Sequence, residues 1–124
     1  MKNIYYVYSV GIRCQYEGDG WSELILDNEN LVSNAKSVLI EAINKEIYYT
    51  TEGIIDAQIE YDVGHCDKEM YEIVTQEKEE LKWKQLNLRD KVMDVSTVED
   101  LESLSGEEVN GHEHIVIFKE AVLS

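Results

Sequence analysis

Residues 54–63 carry the most regular pattern in the chain, because apolar and polar side chains alternate there without interruption. The apolar positions are Ile55, Ala57, Ile59, Tyr61 and Val63, and the positions between them are Asp56, Gln58, Glu60 and Asp62. A period of two places the two sets on opposite faces of a β-strand. The pattern therefore predicts a strand with one buried apolar face and one solvated face that bears three carboxylates.

The N-terminal part of the chain is predicted to form an antiparallel hairpin over residues 3–26. Residues 3–15 alternate and are rich in tyrosine and β-branched side chains, as strands prefer. Residues 17–20 read Glu-Gly-Asp-Gly, which is typical of a turn, and residues 21–26 are predicted to form the second strand. Residues 46–51 are either a further strand or the end of the helix that precedes them.

Two helices are predicted from apolar spacing and capping signals. In residues 30–45, apolar side chains recur at helical spacing, which predicts an amphipathic helix lying on the sheet. Ser96 and Glu99 have the spacing of a capping box, which predicts a short helix over residues 97–104. Asn110-Gly111 is a strong hairpin signal and is predicted to join residues 107–109 to residues 112–119.

Residues 67–93 permit two interpretations. Short alternating runs favour strands over residues 69–75 and 80–86, whereas the Glu- and Lys-rich segment between them favours a helix. We take the hairpin as the prediction. The predicted fold is then a single α+β domain over residues 1–124, with an antiparallel sheet of five or six strands and two or three helices packed on it.

Histidine and cysteine residues are the candidates for metal or thiol chemistry. Zinc favours such ligands, and a small-molecule or zinc-binding domain could use His65, Cys66, His112 and His114, with Cys14 as a further candidate. No Cys-x-x-Cys pair or His-Glu-x-x-His motif is present, and no signature of a cysteine enzyme accompanies Cys66. The sequence therefore predicts no cofactor, no enzymatic activity and free thiols.

The charge of the chain is the strongest functional signal. Its 124 residues include 26 acids and 11 bases, so that the net charge is −15. This charge disfavours direct binding to nucleic acid or to an anionic membrane, and it favours a basic protein as the partner. Tyrosine and tryptophan are frequent at interface hot spots. The predicted partner-binding residues are Trp21, Tyr48, Tyr49, Asp56, Glu60, Asp62, Asp94, Glu99, Asp100, Glu102, Glu107 and Glu108.

In size, charge and lack of motifs, the chain resembles phage-encoded anti-defence proteins such as anti-CRISPR and anti-restriction inhibitors. The resemblance implies an inhibitor whose carboxylates mimic nucleic-acid phosphates on a nuclease or another nucleic-acid-binding protein. An immunity protein or antitoxin that covers a basic toxin is the alternative. The N-terminus has no signal-peptide pattern, so we expect a cytoplasmic protein, in the host cytoplasm if it is phage-encoded. The tyrosine-rich first strand could form a sheet edge that pairs with a second copy.

Overall fold

The computed structural model describes residues 2–9 and 21–123. In chain order, the strands are β1 (Lys2–Ser9), β2 (Trp21–Leu26), β3 (Glu108–Val109), β4 (His112–Glu113) and β5 (Ile115–Val122). The helices are α1 (Leu31–Asp62), α2 (Lys68–Met93) and α3 (Val98–Ser103). The protein is therefore α+β, but two long helices make up most of its regular structure.

The strands form two separate antiparallel sheets. The larger sheet has the order β2-β1-β5, and the smaller one pairs β3 with β4. The prediction of one sheet with five or six strands is wrong, because segments predicted as strands lie in helices. The predicted hairpin of β1 and β2 is confirmed, with Ile4 opposite Leu26 and Ser9 opposite Trp21. Residues 10–15 of the predicted first strand and the turn at residues 17–20 lie outside the described residues.

Strand β1 lies in the middle of the larger sheet. It pairs with β2 on one side and with β5 on the other, from Ile4 to Ser9. The backbone groups of β1 are therefore already used within the chain. The idea that β1 is a sheet edge which pairs with a second copy is wrong for this reason.

The core lies between one face of the larger sheet and the first half of α1. The sheet contributes Tyr5, Val7, Ile25, Ile115 and Ile117. Helix α1 contributes Leu31, Ala35, Leu39 and Ile43, whose spacing confirms the helix predicted over residues 30–45. The C-terminal part of α2 adds Leu88 and Val92. We refer to residues 2–9, 21–50 and 84–123 as the head. Burial of each large side chain contributes about 1.5–3 kcal/mol, so the head carries most of the stability.

Residues 54–62 are helical and Val63 is the C-cap, so the strand predicted over residues 54–63 is wrong. The alternating pattern comes from two rows of side chains with i, i+4 spacing that are offset by two residues. Ala57 and Tyr61 form the half-buried row beside α2, whereas Ile55, Ile59 and Val63 form a row more than half exposed to solvent. Residues two apart are separated by about 200° around a helix, so two interleaved rows imitate the period of a strand.

Residues 68–93 form the single helix α2, so the strands predicted over residues 69–75 and 80–86 are wrong. The side chain of Asp67 caps the helix by accepting a hydrogen bond from the Met70 N–H at 2.8 Å. The face towards α1 runs through Tyr71, Val74, Leu81 and Leu88, but Lys78 and Gln85 also lie on it. These two polar residues interrupt the apolar row of α2, and this is why the sequence pattern did not predict the helix.

The two local signals near the C-terminus are confirmed in part. The predicted short helix is present as α3, but its N-cap is Thr97, whose hydroxyl accepts from the Asp100 N–H at 3.1 Å. Asn110 and Gly111 have φ values of 53° and 79° and join β3 to β4 as predicted. The predicted pairing does not extend beyond Glu113, because β5 pairs with β1.

The distal halves of α1 and α2 form a helical arm, defined here as residues 51–83. None of these residues is fully buried. At the base of the arm, the Thr50 hydroxyl lies 2.9 Å from Gln85 Oε1, and both side chains are buried. From Gln85 to the start of α2 the helix rises roughly 25 Å. Within the described residues, no helix is both long enough and apolar enough to cross a membrane.

Candidate functional site

The predicted partner-binding residues fall into two separate groups. The first group lies on α1 and comprises Asp56, Glu60 and Asp62 in the arm, with Tyr48 and Tyr49 a few residues earlier in the helix. The other acidic residues lie in the head, at the end of α2, on α3 and around β3. The hydroxyl of Tyr71 bonds to Gln58, and Met93 follows 22 residues later on α2, so the level of Gln58 and the end of α2 are about 33 Å apart along the helix axis.

Several acids of the head have partners within the chain. Glu107 accepts from Lys91 at 3.0 Å, and Glu102 lies 3.6 Å from the Lys119 ammonium group. Asp100 lies within 3.4 Å of the Ser96 backbone N–H and hydroxyl. These contacts lower the charge that the head presents to a partner. Asp94, Glu99 and Glu108 are exposed.

The carboxylates on the α1 side of the arm have no Lys or Arg beside them in the sequence of that helix. Residues 46–67 contain six acids and neither Lys nor Arg. Glu52, Asp56 and Glu60 are each four residues apart, so they form one row along α1 with a rise of about 6 Å between neighbours. All three are exposed; Glu60 lies 3.1 Å from the exposed His65, and Glu52 is hydrogen-bonded to Tyr48.

An apolar row lies directly beside these carboxylates. Ile55 is 54% exposed, Ile59 53% and Val63 58%, and Tyr48 is 60% exposed on the same side of α1. We refer to Tyr48, Ile55, Ile59 and Val63 as the apolar stripe. The sequence prediction had placed Ile55, Ile59 and Val63 on a buried strand face. Their i, i+4 spacing is the sequence signal of the stripe, but it identifies the stripe only where the segment is known to be helical, because the same residues also alternate with period two.

The two tyrosines below the arm contact each other. Their ring centroids are 5.9 Å apart and the rings are inclined by 66°, an edge-to-face arrangement. Hydrogen bonding to Glu52 and the negative charge of that carboxylate raise the pKa of Tyr48. Tyr48 thus links the apolar stripe to the carboxylate row, whereas Tyr49 is half-buried. Trp21 begins β2, but its side chain lies outside the described part of the structure.

The candidate metal and thiol residues are not brought together. His65 and Cys66 lie in the loop at the tip of the arm, whereas His112 and His114 lie in the head. The turn that precedes His112 is fixed by a bond from Lys84 to Asn110, roughly 25 Å along α2 from the tip. Among the described residues, no three His, Cys, Asp or Glu side chains are placed to hold a metal ion. Cys66 is a free thiol, and Cys14 lies outside the described residues.

An open cleft of about 490 Å³ lies at the tip of the arm, between the last turn of α1 and the first turns of α2. It is lined by Glu60, His65, Cys66, Met70 and Tyr71, among others. The rings of Tyr61 and Tyr71 stack with centroids 4.7 Å apart and hold the two helices together below the loop. This stack fixes the end of α1, and with it the direction of the carboxylate row.

Comparison of the chain with protein-family models, with curated proteins and with solved structures finds no match.

Proposed function

We propose that this protein is an acidic, protein-binding inhibitor that occupies the nucleic-acid-binding surface of a basic partner through its arm. The observation that carries the proposal is the run from residue 46 to residue 67, which has six acids, neither Lys nor Arg, and an exposed apolar stripe. An acidic surface that served only solubility would not need large apolar side chains beside it. Exposed apolar patches of this kind mark interaction surfaces.

The arm is suited to replace a nucleic acid on such a partner. A helix holds the Cα atoms of these carboxylates at fixed intervals, so little backbone freedom is lost when the partner binds. A phosphate-binding surface presents Lys and Arg to the closely spaced charges of the duplex. The row of Glu52, Asp56 and Glu60 offers those cations an alternative anionic line, and the charge of −15 accelerates the encounter.

The head supports the arm in this proposal and is not its contact surface. The end of α2, beside Asp94, lies about 33 Å along the helix axis from the level of Gln58, and two acids of the head, Glu107 and Glu102, are paired with Lys91 and Lys119. The compositional resemblance to phage anti-defence inhibitors names the class of partner to try first. These are RNA-guided nucleases and restriction enzymes, both of which bind DNA through basic surfaces.

The proposal is tested by DNA cleavage assays with a panel of RNA-guided nucleases and restriction enzymes, with and without the purified protein. We expect at least one of these enzymes to be inhibited at low salt. Inhibition should weaken as NaCl is raised from about 50 to 300 mM, because cation–carboxylate contacts are screened. Unchanged cleavage by the whole panel at a large excess of the protein would overturn the proposal, as would inhibition that does not respond to salt.

A further inference from the structure

The outer face of α1, turned away from α2, has the shape and charge of a helix-docking surface. The apolar stripe runs from Tyr48 to Val63, which is a rise of about 22 Å, or four helical turns. Its members are all more than half exposed, although Tyr48 also contacts Tyr49 and Glu52. Helices that dock on such a surface use apolar anchors at i, i+3, i+4 and i+7, a span of about 10 Å, so the stripe has room for about two such sets.

Carboxylates lie on both sides of the apolar stripe. Glu52, Asp56 and Glu60 follow one side of it, and Asp62 lies on the other, because successive residues turn by about 100° around the helix. A docked helix would therefore meet three carboxylates along one edge and Asp62 at one end of the other edge. The complementary ligand has a narrow apolar face with Lys or Arg on either side.

We propose that the arm binds a basic amphipathic helix of its partner, with the apolar face of that helix on Ile55 and Ile59 and its cations against the flanking carboxylates. The inference rests on the proposed function and specifies which surface and which kind of partner segment carry it. A second copy of this chain is the less favourable occupant. In a symmetric pair the same face meets itself, so Asp56 and Glu60 of each copy would oppose the carboxylates of the other.

The test uses two labelled synthetic peptides of about 21 residues and identical Leu and Lys composition. One has its leucines at helical spacing, and the other has a scrambled order without an amphipathic face. Titration by fluorescence anisotropy at about 150 mM NaCl should show at least about tenfold tighter binding of the amphipathic peptide. Equal binding of the two peptides would mean that charge alone acts, and it would overturn the proposal.

Two variants locate the contact. Ile55→Ser/Ile59→Ser should weaken binding of the amphipathic peptide by at least about tenfold, because both anchors are lost. Ile73→Ser, on α2, is the matched control, since Ile73 is 48% exposed, and it should change binding less than about twofold. All of these residues are exposed, so circular dichroism should report folded proteins. An equal loss of peptide binding in the Ile73→Ser control would overturn the assignment of the contact to α1. A wild-type dimer that Ile59→Ser converts to a monomer would show that a second copy occupies this face, and it would also overturn the proposal.

The outcomes also separate this inference from the proposed function. Inhibition of a nuclease without dependence of peptide binding on Ile55 and Ile59 would remove the docking surface and leave the function standing. The opposite outcome is that the wild type binds the amphipathic peptide, the double variant does not, and no nuclease is inhibited. This outcome would remove the proposed function and leave the docking surface standing.

Discussion

Tyr5 is the residue that most directly couples the stability of the head to pH. Its side chain is 3% exposed, and its hydroxyl donates to Glu102 Oε1 at 3.1 Å. Burial raises the pKa of Tyr5, and the hydrogen bond and negative charge of Glu102 raise it further. In the unfolded chain the phenol loses its proton near pH 10. Its contribution to stability is therefore complete below pH 10 and is lost as the pH rises towards the higher pKa of the folded state.

We expect Tyr5→Phe to lower the free energy of unfolding by about 1 kcal/mol at pH 7, because one hydrogen bond to a charged acceptor is lost. The difference between wild type and variant should shrink as the pH is raised above about 10. Urea unfolding between pH 7 and pH 11 measures both quantities. Tyr8→Phe, on the opposite face of β1, is the control and should change stability at pH 7 by less than about 0.5 kcal/mol. A difference for Tyr5→Phe that stays constant above pH 10 would contradict this account.

Two glycines should respond to alanine with opposite signs. Gly53 lies within α1, and a Cβ there would meet only the end of the flexible Lys78 side chain, with Nζ at 3.0 Å. Gly53→Ala should raise the free energy of unfolding by about 0.5–1 kcal/mol, because glycine costs conformational entropy in a helix. Gly64 has φ of +80°, so Gly64→Ala should lower it by about 1–2 kcal/mol. Thermal and urea unfolding decide the signs, and a destabilised Gly53→Ala would show that Lys78 cannot move aside.

The arm has no fully buried side chain, so its helical segments should unfold locally more readily than the segments of the same two helices that lie in the head. Residues 51–83 contain no fully buried side chain, whereas Leu39, Ile43, Leu88 and Val92 anchor the same two helices in the head. Local opening free energies follow such differences in packing. We expect the amides of residues 54–62 and 70–80 to exchange with deuterium much faster than those of residues 38–46 and 88–92. Uniform protection along both helices would contradict a weakly held arm.

Local sequence signals predicted the elements that local interactions decide. The helix starting near residue 31, the hairpin of β1 and β2, the helix after Thr97 and the turn at Asn110-Gly111 all follow from spacing or from backbone requirements at particular residues. The helical arm could not be predicted in this way. Its apolar rows on α1 interleave with period two, and Lys78 and Gln85 interrupt the row on α2. Only the pairing of the two helices shows which row faces the partner helix.

At the scale of the whole molecule, the head holds the core, while the outer half of α1 presents carboxylates beside exposed apolar side chains. Residues 46–67 contain no Lys or Arg. The sequence identified Asp56, Glu60, Asp62 and Tyr48 as candidates, because their charge and chemistry do not depend on secondary structure. It missed Ile55 and Ile59, since a strand would bury them and the helix exposes them.

The most direct test compares two charge reversals in the assay of nuclease inhibition. Asp56→Lys/Glu60→Lys changes the arm, and Asp94→Lys/Glu108→Lys makes the same change of charge at exposed positions of the head. For a nuclease that the wild type inhibits, the account predicts at least about a tenfold loss of inhibition for the arm variant and less than about threefold for the head variant. Equal losses, or a larger loss for the head variant, would contradict the assignment of partner binding to the arm.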